Sequence, residues 1–132
     1  MKLMRMLAVA ALFASSHLVY GQDETDVMSA NVPFAFTAAG VSMPAGYYVI
    51  SHVQGEQLWR IRTPGHAIFL TSRPRQLKHA PDTSVLIFDH DANGYTLLQF
   101  QQQAEEQAAE VDRSNRTKER PQQIATVTAL PR

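Results

Sequence analysis

Along residues 31–100 large apolar side chains recur at every second position in short bursts, and each burst is closed by a turn signal. That is the pattern of half-buried β-strands. Val32, Phe34 and Phe36 alternate with smaller residues, and Pro33 confines the segment to an edge or first strand, because proline has no N–H to give to a ladder. Met43-Pro44-Ala45-Gly46 carries the proline and glycine of a type I turn and leads into an aromatic and β-branched run, Tyr47 to Val53. After Gln54-Gly55-Glu56 the alternation resumes, with Trp59 and Ile61 on one face and Arg60 and Arg62 on the other. Thr63-Pro64-Gly65-His66 breaks the chain before the continuous apolar run Ala67 to Thr71. Residues 72–83, with Pro74 and Pro81, read as the longest irregular loop. Ser84 to His90 and Tyr95 to Phe100 flank Asp91-Ala92-Asn93-Gly94, and Asn-Gly between two apolar runs is a strong hairpin signal.

From Gln101 the composition shifts to Gln, Ala, Glu and Arg. Ala104, Ala108 and Val111 form one narrow apolar stripe at helical spacing, so a weak helix or a disordered arm is expected near 103–119, within an insertion that Pro121 ends. Ile124 to Leu130 has strand composition and would tie down the C-terminal end. The fold class expected is mainly β, a small antiparallel barrel or sandwich of about six to seven strands between residues 31 and 130. The expected core is Val32, Phe34, Phe36, Tyr48, Ile50, Trp59, Ile61, Ile68, Leu70, Leu86, Phe88, Leu98 and Phe100. Residues 22–30 are polar and acidic and read as a frayed, disordered leader.

The first 21 residues have the parts of an export signal. Lys2 and Arg5 precede a short apolar stretch, and Val19 and Gly21 stand at −3 and −1 of a cleavage site before Gln22. The interrupted run falls short of the ~20 apolar residues a membrane-spanning helix needs. Cleavage would turn 132 residues into 111, and 12 basic side chains into 10 against 12 acidic ones, net −2. With no cysteine the chain has no disulfide, thiolate or lipidated N-terminal Cys, which suits a bacterial periplasm or the medium. A sequence pI near 7.0 lacks the footprint of a nucleic-acid binder.

Asp89-His90-Asp91 is the most suggestive cluster for chemistry, since a carboxylate beside an imidazole can orient a base or hold a metal. On a strand, however, His90 faces away from both carboxylates. His52, His66, His79 and His90 lie on separate elements without the local spacing of a zinc site. Gly40-Val41-Ser42-Met43-Pro44 lacks the final glycine of a nucleophile elbow and reads as a turn. No catalytic residue, metal ligand or cofactor is assigned. Charge is segregated: Arg60, Arg62, Arg73, Arg75 and Lys78 occupy 57–81 without an acid, whereas 82–112 holds seven acids without a base. The five cations are the candidate binding residues, for an anionic envelope polymer or a protein partner; the other arrangement is that the two blocks face each other or water. Asn115-Arg116-Thr117 matches a glycosylation sequon, which matters only in a eukaryotic secretory pathway.

Val32-Pro33-Phe34-Ala35-Phe36, the Met43-Pro44-Ala45-Gly46 turn with Tyr48, Leu86-Ile87-Phe88-Asp89-His90, and Tyr95 with Leu97 together resemble a group of small exported β-proteins abundant in acidobacterial and other soil-bacterial genomes. The resemblance spans most of 31–130 and implies a compact exported β-domain; its motifs are turn and core signatures and carry over no active-site residue. Two function classes are open at this point. One is an exported, non-enzymatic envelope domain that binds a surface partner, a polymer or a small apolar ligand, or has a structural role. The other is a small metal-dependent or hydrolytic enzyme using His90 or His52.

Overall fold

The computed structural model describes residues 24–55, 57–112 and 123–132. It is all β, with ten strands: β1 (Glu24–Val32), β2 (Phe36–Ala38), β3 (Val41–Met43), β4 (Gly46–Val53), β5 (Leu58–Thr63), β6 (His66–Gln76), β7 (Ser84–Asp91), β8 (Gly94–Gln101), β9 (Gln107–Val111) and β10 (Ile124–Pro131). Eight of them close into an antiparallel barrel in the order β1-β4-β5-β6-β9-β8-β7-β10, with β10 returning to β1. β2 runs parallel to the start of β8, and β3 folds back on β2, so these two short strands lie outside the ring.

Inward positions supply one continuous core, in which Met28, Tyr48, Ile50, Ile61, Leu70, Leu86, Phe88, Leu97 and Phe100 are fully buried. Outward positions of β1 and β5 carry Glu24, Asp26, Arg60 and Arg62, the reverse of the apolar-out pattern of a barrel that crosses a bilayer. Among the described residues no helix is long and apolar enough to cross a membrane. After β1 the chain passes through residues 33–35 to the edge of β8, at the end of the barrel where β4 and β8 begin. Phe36 there meets Tyr48 and Phe88 edge-on, with ring centroids 5.3 Å from each, and Ala38 and Met43 are buried beside it. The hydroxyl of Tyr48 donates to the carbonyl of Pro44, four residues upstream. That bond pins the entry into β4 as a tyrosine corner does in β-sandwiches.

Four expectations are corrected. The acidic stretch read as a frayed leader is strand β1 from Glu24 onward: Met28, Ala30 and Val32 alternate inward, and the acids face out against arginines of β5. The alternation is hidden in the sequence because the register skips Val27, between Asp26↔Ser51 and Met28↔Ile50. The stripe near 103–119 forms no helix over its described part; Gln107–Val111 is strand β9, while 113–122 lies outside the described residues. Helix propensity is worth a few tenths of a kcal/mol per residue. It is outweighed where β9 pairs with β6 on one side and β8 on the other, since that is what closes the ring. The loop read at 72–83 begins only after Gln76, and Pro74 is tolerated because β6 has there run past the start of β5. Finally, of the two expected forms the ring is the barrel, and the ten strands of the described residues exceed six or seven because β1, β3 and β9 carry weak apolar patterns.

Eleven of the thirteen expected core residues are buried; the other two, Phe34 and Ile68, are half-buried against the core. Leu98 is buried but stands outside the core cluster.

Candidate functional site

Leu98 marks the place where the outer wall of the barrel is unusual. The β7–β8 register steps from Phe88↔Leu97 to Ile87↔Gln99, so Leu98 has no opposite number and β8 bulges. An extra residue in one strand resets the side-chain alternation. Leu97 and Phe100 both reach the core, three positions apart, and Leu98 is turned to the outer side. There it floors a groove of about 320 Å³, together with Ile87 of β7, Ile124 at the start of β10 and Leu77 just after β6. Leu98 is 8% exposed and Ile124 55% exposed, so the apolar floor passes from covered to open along the groove.

The walls are polar. Gln101 Nε2 donates to Gln99 Oε1 at 2.6 Å, and both side chains line the groove. Beside Gln99, whose register partner is Glu110, Arg75 Nη1 lies 3.0 Å from Glu110 Oε2, an ion pair between β6 and β9. The rim therefore offers hydrogen-bonding amides and a neutralised charge pair.

The five cations singled out in the sequence are not brought together. Arg60 and Arg62 sit on the outer face of β5, paired with Glu24 at 3.3 and 3.7 Å, and Arg62 also reaches Asp26 at 3.2 Å. Arg73 pairs with Asp112 at 3.1 Å, and of the five only Arg75 lines the groove. Lys78 is exposed on the connection after β6. Arg73 and Arg75 thus face acids of the 82–112 block, whereas Arg60 and Arg62 are paired with acids of β1, outside that block. Beneath Arg62, Ser51 is fully buried; its hydroxyl donates to Asp26 Oδ1 at 2.6 Å and accepts from Arg62 Nη1 at 2.8 Å. The Ser51 hydrogen bond, with Arg62 second, holds the Asp26 carboxyl below the usual carboxylate value against the opposing effect of burial.

No protein-family model, curated protein or solved structure matches this chain.

Two of the histidines, His90 and His52, lie against aromatic rings at opposite ends of the barrel. His90 lies against Tyr95, its cross-strand partner, at 4.1 Å and 4°, and Phe34 stacks on Tyr95 at 3.6 Å and 11°. Two rings this close and this parallel must occupy opposite faces of Tyr95, so the phenol is sandwiched. Asp91 Oδ1 accepts the Asn93 N–H at 2.7 Å and shapes the turn, and Asp89 is buried. His52 lies toward the other end of the barrel, 4.5 Å from the Trp59 ring, whose Nε1 donates to Ser72 Oγ at 2.9 Å. Among the described residues no group of three or more His, Asp or Glu is placed to hold a metal ion.

The groove was not foreseen. Its signal is the Leu97-Leu98 doublet, which breaks an otherwise period-two strand and so announces a bulge, and the outward Ile87 beside it.

Proposed function

We propose that the chain is an exported envelope domain with a binding role and no catalysis of its own, and that the groove beside Leu98 is its binding surface. The observation that carries this reading is an open groove with an aliphatic floor and polar walls on the outside of a barrel whose inside is occupied by its own side chains. A small barrel either fills its interior with side chains or holds one small ligand there. With Tyr48, Phe88, Phe100 and Met28 filling this one, recognition is directed outward. The export signal over 1–21 and the resemblance to small exported β-proteins support the compartment. Engagement of Arg60, Arg62, Arg73 and Arg75 by carboxylates favours an apolar contact over an anionic envelope polymer.

The test is retention of the secreted chain on isolated envelope material. The protein recovered outside the cytoplasm is expected to begin at Gln22 and to be retained with little dependence on salt. Ile124→Glu is expected to release it, whereas Arg60→Gln with Arg62→Gln is not. Retention that vanishes at moderate salt, survives Ile124→Glu and is lost with the arginines would overturn the reading in favour of the polymer.

A further inference from the structure

We infer that the groove takes an uncharged aliphatic side chain of an extended polypeptide, with the adjoining peptide unit hydrogen-bonded to Gln99 and Gln101; this rests on the groove being the binding surface. Charge is the first argument. The guanidinium of Arg75 is tied to Glu110 at 3.0 Å, so an anion would have to displace a carboxylate and a cation a guanidinium. A neutral occupant disturbs neither.

The second argument is the chemistry of floor and wall. Leu77, Ile87, Leu98 and Ile124 offer aliphatic surface, suited to a branched hydrocarbon, whereas flat ligands draw on a ring to stack against. The Gln99–Gln101 pair uses one donor of Gln101 and one lone pair of Gln99. By valence Gln99 keeps both of its N–H donors and Gln101 its oxygen. A donor and an acceptor side by side match the C=O and N–H of one peptide unit, and a hydrocarbon chain has nothing to pair with either. A volume of about 320 Å³ stands at the lower end of small-ligand pockets, enough for one or two aliphatic side chains.

The experiment is titration of the ¹⁵N-labelled chain from Gln22 with three probes: acetyl-Leu-Leu-amide, acetyl-Gly-Gly-amide and decanoate. The expected result is saturable movement of the Gln99 and Gln101 side-chain amides and of the Leu98 and Ile124 backbone signals with the leucine peptide. At least tenfold more of either other probe should be needed. Ile124→Gln, at an exposed position, should abolish the response in a chain whose remaining spectrum is unchanged, and Gln101→Leu should weaken the leucine peptide without weakening decanoate. If decanoate moves the same signals at lower concentration, the groove is a binding surface for acyl chains and this inference falls alone. If no probe moves them, the inference and the underlying reading fall together.

Discussion

Ala39 and Gly40, which join β2 to β3, both have positive φ, 48° and 84°. That is the backbone of a type I′ turn, which Asn-Gly fits best, and an alanine in the left-handed region costs roughly 1–2 kcal/mol. Ala39→Asn is therefore expected to stabilise the protein, by about 0.5–1 kcal/mol, seen as a higher urea midpoint with unchanged slope. Tyr48 gives the opposite sign. Its ring is fully buried and burial pushes its hydroxyl above the usual phenol value, so the bond to Pro44 is its outlet for a polar atom. Tyr48→Phe removes donor and polar atom together, and a loss of about 1 kcal/mol is expected by the same measurement.

At the scale of the element, the β8 bulge separates two neighbouring leucines. Leu97→Ala empties a fully enclosed site and should cost about 3 kcal/mol, whereas Leu98→Ala, bordering an open groove, should cost about half that. Equal losses in urea unfolding would mean that the groove is closed in solution. Strands such as β4, β5 and β7 were legible because their apolar alternation is undisturbed. The hairpin was legible too, although the turn pivots on Ala92 and Asn93 and the positive φ falls on Gly94 at 113°. What escaped was whatever broke period two: the skipped Val27 in β1, the skipped Leu98 in β8, and β9, whose Ala-Glu composition is helical until two open edges claim it. The groove was illegible for the same reason, since its residues come from five barrel strands and one connection and converge only once the ring is closed.

For the molecule as a whole, the network over β1, β4 and β5 makes stability depend on acid. Asp26 is depressed in the folded chain, so its contribution is complete above the unfolded carboxylate value near 3.8 and is lost as pH falls through the lower folded value. Below about pH 4 the unfolded chain takes up its proton first and gains on the native state. Urea midpoints measured from pH 6 to 3 are expected to fall more steeply in the wild type than in Asp26→Asn, and parallel curves would exclude Asp26 as the sensor. The ring itself is sewn shut between β1 and β10 by only two residue pairs, Met28↔Pro131 and Ser29↔Leu130, with Arg132 N–H donating to Val27 at 3.2 Å. Arg132 thus lies beside β1 about three residues from Glu24, a gap of about 10 Å that a linker of about four glycines and serines would cross. A circular order of strands has no intrinsic beginning. A permuted gene that joins Arg132 to Glu24 and opens instead within Thr63-Pro64-Gly65 should therefore yield the same circular dichroism spectrum, which makes this barrel a scaffold whose point of entry can be moved at will.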